Sequence, residues 1–265
     1  MGCDGLGGER PNDKSWGRDQ RGRLSIPRYL SEEEIAKSDE YSEGDPYSVE
    51  DRLDSPFHRR RFNLTLELLR DVAPFKHLLD VGCGEGHITA EIKKRFPEAE
   101  IHALDYSISA IRKAHRKYPG IHFAVGDAVK SRYPAGPFDV IVCNNLWEHV
   151  TNPVDLLQRM KDVLKPNGAV IISTPSRYRT DNLVRVFLGK EVKFMSKLHV
   201  TEYTVGQVKE QLTFGGFEVQ KIISRPINTG SMKFRTAHKM LELFCSTIKS
   251  HHQLESTIFY LARLK

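Results

Sequence analysis

The sequence of 265 residues has few cysteines, no long apolar run and no long run of one charge. Its four cysteines lie far apart, which argues against a disulfide scaffold or a metal finger and favours reduced, packed thiols. No stretch approaches the roughly 20 uninterrupted apolar residues of a membrane-spanning helix, and the N-terminal residues lack the apolar core of a secretory signal. These absences predict a cytoplasmic protein.

Basic residues outnumber acidic ones, with 40 Lys and Arg against 34 Asp and Glu, for a formal charge of +6. This excess suits an anionic partner such as nucleic acid, a phosphorylated metabolite or a lipid surface. Because the basic residues are spread along the chain, an ordinary solvated surface is the simpler interpretation.

The sequence divides into a short polar N-terminal segment and one long globular region. Residues 1–25 are rich in Gly, Arg, Asp and Asn and contain almost no large apolar side chains, so we expect a disordered tail. Residues 26–265 have the length of one large α/β domain with appendages, and we predict a single domain there.

Short apolar segments alternate with segments of helical or looped character from residue 77 onward. Five apolar strands are predicted at 77–81, 101–104, 121–125, 138–143 and 169–173, and two more at 217–224 and 256–264. Apolar strands separated in this way are typical of a doubly wound α/β fold. We therefore predict a Rossmann-like, mostly parallel seven-stranded sheet with helices on both faces.

Two segments interrupt this alternation, at 176–203 and 226–252. The first follows the carboxyl end of a strand, where insertions in an open α/β sheet lie over the ligand crevice. It mixes apolar residues such as Phe187 with basic ones such as Arg185, which suits a lid over an apolar acceptor, contact with anionic lipid, or docking of a phosphate-bearing substrate. Packing with solvated charge is an equally good interpretation. We predict that both segments form a helical substrate lid or cap.

A glycine-rich turn follows the first predicted strand, in the segment Asp80-Val81-Gly82-Cys83-Gly84-Glu85-Gly86. Glycines between a strand and a helix let the backbone approach a ligand closely. A dinucleotide-binding loop would need its third glycine or alanine at position 87, where this sequence has His87. The carboxylate of Asp80 suits a ligand with a cationic amino group and would repel a pyrophosphate. The loop therefore predicts a zwitterionic ligand.

Two more acidic residues end the next two predicted strands, Asp105 after the second and Asp127 after the third. A carboxylate at Asp105 can accept hydrogen bonds from both hydroxyls of a ribose bound over the crevice. One at Asp127 can accept a hydrogen bond from an adenine amino group. Acids at the carboxyl ends of successive strands together predict a ligand site more strongly than each does alone.

Several segments, in register, are similar to the motifs of class I methyltransferases. In the order of that family's motifs they are 78–86, 104–105, 126–128, 138–143 and 164–169. The resemblance extends over residues 56–224. It implies S-adenosyl-L-methionine as the cofactor, and the family's topology would place the last strand antiparallel between the fifth and the sixth.

The resemblance also implies which residues hold the cofactor. Asp80 and the glycine loop would hold the methionine part, Asp105 the ribose, and Asp127 with Ala128 the adenine. The full set of cofactor-binding residues that we predict is Asp80, Gly82, Cys83, Gly84, Gly86, Asp105, Tyr106, Asp127, Ala128 and Asn144.

Glu148 and His149 follow the fourth strand, at the edge of the crevice where a methyl acceptor would lie. An imidazole titrates near neutral pH, so His149 is a candidate general base, although a Glu-His pair is common in the type 11 branch of the family and can serve to fix the loop. His199 lies 50 positions further on (199 − 149), just before a predicted helix. We predict Glu148, His149 and His199 as the catalytic residues.

The same three residues are similar to a metal-binding element. In quinone-biosynthesis O-methyltransferases and small-RNA 2′-O-methyltransferases, a Glu-x-x-Glu-His motif helps to bind a divalent metal. Asn145 stands here in the position of the first Glu, which replaces a charged oxygen ligand with a neutral one and disfavours a hard divalent ion. The sequence leaves metal binding open.

These observations predict transfer of a methyl group from S-adenosyl-L-methionine to an oxygen, less readily a nitrogen, of a small or lipid-like metabolite. The resemblance to the quinone-biosynthesis branch suggests this acceptor class, and an anionic substrate or a membrane surface is a further candidate partner. One alternative is RNA methylation, which the positive charge suits but for which no RNA-binding module is recognisable. The other is a non-catalytic cofactor-binding or regulatory protein.

Overall fold

The computed structural model describes residues 56–131, 133–134, 136–196, 198–225, 232–250 and 252–265. The predicted tail at 1–25 lies outside these residues, as does the start of the second insertion at 226–231. The division into a tail and one domain therefore stays a prediction.

Seven strands form one sheet. They are β1 (His77–Val81), β2 (Glu100–Asp105), β3 (His122–Val125), β4 (Phe138–Asn144), β5 (Leu164–Pro175), β6 (Phe217–Ile223) and β7 (Thr257–Leu264). Their spatial order is β3-β2-β1-β4-β5-β7-β6. The first five strands are parallel, and β7 runs antiparallel between β5 and β6. The predicted fold class and the position of the last strand are both confirmed.

The described helices are α1 (Pro56–Val72), α2 (His87–Arg95), α3 (Ile108–Lys117), α4 (Pro153–Val163), α5 (Thr180–Phe187), α6 (Val205–Phe214) and α7 (Met232–Thr247). A short 3-10 helix covers Trp147–His149. Every helix in the described part of the chain is too short or too polar to cross a membrane.

Both faces of the sheet are buried under helices. Successive side chains of a strand point to opposite faces and so enter different cores. In β1, Leu78 faces a core that α1, α2 and α3 cover, and Leu79 faces a second core under α4 and α6. Neither leucine has any exposed surface. Near-continuous apolar strands are what a parallel sheet covered on both faces requires.

Strand β5 is longer than predicted. The sequence indicated 169–173, whereas the strand runs from Leu164 to Pro175. Its pairing with β7 continues to Pro175, opposite Thr257, and its first residue pairs with Phe138 of β4. Local apolar patterning missed these ends because hydrogen bonds to distant strands define them.

The first insertion contains one helix and an irregular return. Helix α5 packs against α7, and the Thr180 hydroxyl is 2.6 Å from Nδ1 of His238. The insertion ends at Thr204, whose side chain caps α6 in a reciprocal capping box with Gln207.

Candidate active site

One cavity of about 470 Å³ lies at the carboxyl ends of the first four strands. Eleven of the thirteen predicted site residues line it: Asp80, Gly82, Cys83, Gly84, Asp105, Tyr106, Asp127, Ala128, Asn144, His149 and His199. The other two, Gly86 and Glu148, are not among its lining residues. The predicted cofactor and acceptor residues therefore share one space.

The backbone amides of the glycine loop hold it against the end of β2. Gly82 and Cys83 donate their amide hydrogens to the carbonyl of Leu104, and Gly84 donates to Oδ2 of Asp105 at 2.7 Å. Gly82, Gly84 and Gly86 all have positive φ angles, which L-residues with side chains rarely adopt. The loop therefore contributes close backbone approach to the cavity.

Gly86 has a packing role. It precedes α2 with a φ of 73°, and a Cβ atom placed on it would lie 2.8 Å from the ring of Phe123. Such a contact is shorter than packed carbon atoms allow. The glycine is needed here so that the loop can turn into the helix against the second and third strands.

Asp80 is buried at the end of β1 and accepts a hydrogen bond of 2.6 Å from the Thr89 hydroxyl. Burial removes water from its carboxylate and raises its pKa to about 6, although Thr89 and Arg61 oppose the shift. A cationic group in the cavity would restore the preference of Asp80 for its ionised form.

The other two acids are oriented by backbone amides. Oδ1 of Asp105 accepts from the amide of Ser107 at 2.9 Å, in addition to the bond from Gly84. Oδ1 of Asp127 accepts from the amides of Val129 and Lys130, at 2.7 and 3.0 Å. An ionised carboxylate has about four acceptor positions, so each acid keeps capacity for a ligand.

Helix α1 contributes two residues that the sequence did not predict for the site. Arg61 and His58 both line the cavity, with Nη2 of Arg61 at 3.0 Å from Nδ1 of His58. Nη1 of Arg61 also donates to Oδ1 of Asn145 at 3.5 Å. The only local signal is a run of three arginines at 59–61, which is more typical of a solvated helix face.

Two asparagines connect this helix to the end of β4. Asn144 is buried, exchanges hydrogen bonds with the Thr65 hydroxyl and accepts one from the Ser173 hydroxyl. Asn145 has a φ of 51° and donates to Oε1 of Glu148 at 3.1 Å. Asn145 therefore fixes the turn between the strand and the short helix that carries the catalytic candidates.

His149 and His199 face each other at the mouth of the cavity, with ring centroids 5.0 Å apart. Nδ1 of His149 must carry a hydrogen, because it donates to the Leu198 carbonyl at 3.2 Å. Its Nε2 is then an acceptor available to a ligand. Burial and the neighbouring His199 lower the pKa of His149, which favours the neutral ring.

His199 is positioned by Glu202. Its Nδ1 lies 2.8 Å from Oε1 of Glu202, a buried residue that also pairs with the buried guanidinium of Arg179. Although burial opposes ionisation, hydrogen bonds from His199, the Met195 amide and Arg179 keep the pKa of Glu202 below its ordinary value. This network fixes the insertion beside the cavity.

Glu148 lies behind the cavity wall and is almost fully buried. It accepts hydrogen bonds from Asn145 and from the Thr174 hydroxyl at 3.0 Å, and burial raises its pKa. Its carbonyl accepts from the amide of Val200 at 2.9 Å, which ties the insertion to the short helix. A carboxylate oxygen of Glu148 and one ring nitrogen each of His149 and His199 lie within 4.8 Å of one another.

Comparison with known proteins identifies a family. Residues 74–225 match the sequence model of a family described as "Methyltransferase domain". A malonyl-[acyl-carrier protein] O-methyltransferase of Halalkalibacterium halodurans is 35% identical over 103 residues, which is 37% of this chain and 38% of that protein. A trans-aconitate 2-methyltransferase of Rhodopseudomonas palustris is 26% identical over 52% of each chain. The matches thus span about half or less of these relatives.

Solved structures share the fold over most of the chain. The plantazolicin methyltransferase BpumL, in complex with a pentazolic desmethylPZN analog and SAH, has a TM-score of 0.56 at 20% identity, covering 88% of this chain and 96% of its own. The magnesium protoporphyrin IX methyltransferase of Synechocystis PCC 6803 has a TM-score of 0.57 at 12% identity, covering 88% and 94%. Likeness at these identities establishes the architecture alone.

Proposed function

The chain belongs to the class I methyltransferase family, and on this premise we propose that it transfers a methyl group from S-adenosyl-L-methionine to an oxygen atom of a small or lipid-like acceptor. The observation that carries the proposal is the single cavity in which the predicted cofactor residues meet the ring of His149. A donor and an acceptor bound in one space have the proximity that an in-line displacement needs.

The cavity offers a complementary group for each part of the cofactor. The buried carboxylate of Asp80 suits the ammonium of the methionine part, and the guanidinium of Arg61 suits its carboxylate. Asp105 would accept the ribose hydroxyls, and Asp127 with Ala128 would border the adenine. Bound in this way, the cofactor supplies a methyl group on a positively charged sulfur.

His149 is the residue that we assign as general base. The acceptor oxygen would bond to the methyl carbon while the cofactor's carbon–sulfur bond breaks, and the electron pair of that bond would stay on sulfur. The proton of an acceptor hydroxyl passes to Nε2 of His149, whose lowered pKa keeps it neutral and able to accept at neutral pH. An acceptor that is already an anion would not need this step.

The insertion supports an apolar or lipid-like acceptor. Leu198 and His199 line the cavity, and the insertion carries further exposed apolar side chains. These are Val186, Phe187, Leu188, Phe194, Met195 and Val200, each between 43% and 77% exposed. The choice of oxygen as the acceptor atom is supported by the malonyl-[acyl-carrier protein] relative, whose name specifies O-methylation.

The geometry of Glu148, His149 and His199 also fits a divalent ion, since both histidines use Nδ1 inside the protein and keep Nε2 for a ligand. Asn145 donates a hydrogen bond to Glu148, so it orients one carboxylate of this group and does not supply a second one. Such an ion would polarise an acceptor oxygen. Activity that survives chelation unchanged would exclude this role.

The proposal is tested by incubating the protein and S-adenosyl-L-methionine with small metabolites, lipid extracts or RNA. The release of S-adenosylhomocysteine is measured, and the methylated product is analysed by mass spectrometry. We expect turnover with a metabolite or lipid, and a gain of one methyl group on oxygen. His149→Ala should lose turnover on hydroxyl acceptors and still bind S-adenosylhomocysteine in calorimetry.

Other outcomes would overturn the proposal in different ways. Methylated RNA, with no product from metabolites or lipids, would support RNA methylation instead. Cofactor binding without turnover in any fraction would support the regulatory alternative. Absence of cofactor binding would refute both enzymatic functions.

A further inference from the structure

A second cluster of metal-ligating side chains lies at the amino ends of the strands, opposite the candidate active site. His77, Glu100 and His122 are the first residues of β1, β2 and β3, and His102 is two residues into β2. The candidate active site lies at the carboxyl ends of the same strands, ~13 Å away along β1 at the usual rise per residue. The proposed methyl transfer makes no use of this cluster.

The register of the strands brings the four side chains to one face. His77 is paired with Glu100, and His102 is paired with His122. Residues paired in adjacent parallel strands point to the same face, and so do residues two apart in one strand. Three neighbouring strands therefore present one carboxylate and three imidazoles side by side.

The contacts within the cluster centre on Glu100. Its Oε1 lies 2.8 Å from Nε2 of His102 and 3.8 Å from Nε2 of His122, and its Oε2 lies 3.5 Å from Nδ1 of His77. The rings of His102 and His122 are stacked, with centroids 4.7 Å apart. A ligand atom from each of Glu100, His102 and His122 falls within 4.8 Å of the other two.

We propose that Glu100, His102 and His122, with His77 as a fourth ligand, bind a divalent transition-metal ion of the zinc type. Imidazole nitrogen and carboxylate oxygen are donors that such ions take, and four of them, or three with a water molecule, complete tetrahedral coordination. Hard ions such as Mg²⁺ and Ca²⁺ favour sets made of oxygen atoms alone, so a histidine-rich set selects against them.

The outer side chains of the cluster are accessible in the part of the chain that the structure describes. In the described residues of the connection between β3 and β4 there is a turn but no helix. The side chain of Glu100 is 47% exposed, and that of His122 is 35% exposed. The side chain of His102 is 14% exposed, and its ring packs edge-on against Phe138. The innermost ligand is therefore held by packing while the outer ones face solvent.

A bound ion would join the amino ends of three strands whose pairing is otherwise maintained by backbone hydrogen bonds. Among the described strands, β3 is the outermost on its side of the sheet and pairs with β2. An ion that binds the folded chain and not the unfolded one stabilises it by RT ln(1 + [ion]/Kd), so the unfolding transition moves to higher temperature as the ion concentration rises above Kd. We therefore expect a stabilising ion, with no direct part in methyl transfer.

The test is a titration of the full-length chain, freed of any histidine tag, with Zn²⁺ in calorimetry and with Co²⁺ in visible absorption. The edge variant carries Glu100→Gln and His122→Ala. The cavity variant carries His149→Ala and His199→Ala, which removes the histidine pair of the candidate active site. A third protein carries all four substitutions.

We expect the cavity variant to keep one equivalent of Zn²⁺ and a rise in Tm on zinc addition. The protein with all four substitutions should bind that equivalent at least roughly tenfold more weakly and lose the Tm rise. The metal-free edge variant should keep S-adenosylhomocysteine binding, which shows that it folds; if it does not, Glu100→Gln alone replaces it. Equal zinc affinity in the cavity variant and the fourfold variant would overturn the proposal, and so would no zinc binding to either.

Discussion

The carboxylate of Asp80 is the charged group on which cofactor affinity should depend most strongly. It is 3% exposed, and its ionised form is supported by the Thr89 hydroxyl and by the charge of Arg61. These two partners do not offset the loss of water, so the pKa of Asp80 rises to about 6 in the protein without a ligand. A ligand ammonium would complete the ion pair and lower that pKa again.

This linkage predicts the pH dependence of cofactor binding. Because the ligand stabilises the ionised form of Asp80, affinity should be full above pH 6 and fall about tenfold per pH unit below it. Calorimetry with S-adenosylhomocysteine between pH 5 and pH 8 measures the effect. Asp80→Asn should bind weakly at every pH in this range, and the surface variant Asp155→Asn should behave as wild type. A pH-independent affinity in the wild type would contradict this role of Asp80.

Arg61 gives a second prediction at the scale of single residues. If its guanidinium binds the methionine carboxylate, Arg61→Ala should weaken S-adenosylhomocysteine binding by roughly 10- to 100-fold, the loss expected for one charge-assisted hydrogen-bond pair. Methylthioadenosine lacks both the carboxylate and the amino group, so its affinity should not change. Calorimetry with the two ligands separates these outcomes. An equal loss for both ligands would mean that Arg61 acts on the shape of the cavity instead.

The sequence predicted the acids of the cavity better than its cation. Asp80, Asp105 and Asp127 each lie within two residues of the carboxyl end of a strand. These ends meet along one side of a parallel sheet, so the proximity of the three acids follows from local order. Arg61 reaches the cavity from α1, which precedes the sheet in the chain. The apolar periodicity of α1 does not specify where on the sheet the helix packs. The local sequence therefore does not show which of the three arginines at 59–61 faces the cavity.

At the scale of elements, the turn between β1 and α2 determines the positions of site residues. The glycine loop joins β1 to α2, and Gly86 allows the entry of α2 to lie against the ring of Phe123. Because Asp80 and Thr89 lie on opposite sides of this turn, its geometry determines whether their hydrogen bond forms.

Replacing Gly86 with Ala should therefore lower the free energy of unfolding by more than the backbone strain of its positive φ alone would. Gly120→Ala is the matched control, because that glycine also has a positive φ, of 90°, but has open space around its Cβ position. We expect Gly120→Ala to lower the free energy of unfolding by about 1–2 kcal/mol. Gly86→Ala should lower it by about 1–3 kcal/mol more, through overpacking against Phe123. Urea unfolding measures both, and equal losses would contradict the packing role of Gly86.

The elements themselves were largely readable from the sequence. The parallel strands are apolar runs bounded by turns, and each was predicted to within a few residues, apart from the longer β5. What could not be read is how the insertion attaches. The contacts of Glu202 with Arg179 and His199 join residues up to 23 positions apart on irregular backbone, where no periodicity marks a partner.

The whole molecule depends on its last strand. Strand β7 fills the space between β5 and β6 and pairs with both, so the two strands do not touch without it. Neither apolar patterning nor turn residues indicated this arrangement, because an inserted antiparallel strand leaves no local trace of its neighbours. The position of β7 was predicted from the family resemblance alone.

Removing residues 257–265 should therefore prevent folding of the sheet. The four side chains from Ile258 to Leu261 are at most 4% exposed. Burying a large apolar side chain contributes ~1.5–3 kcal/mol, so four of them approach the ~5–15 kcal/mol that stabilises a typical domain. The truncated chain should lose its cooperative urea transition and its binding of S-adenosylhomocysteine. Deletion of the exposed Lys265 alone is the control and should leave both intact. A truncated chain that still unfolded cooperatively would mean that β5 and β6 can close without β7.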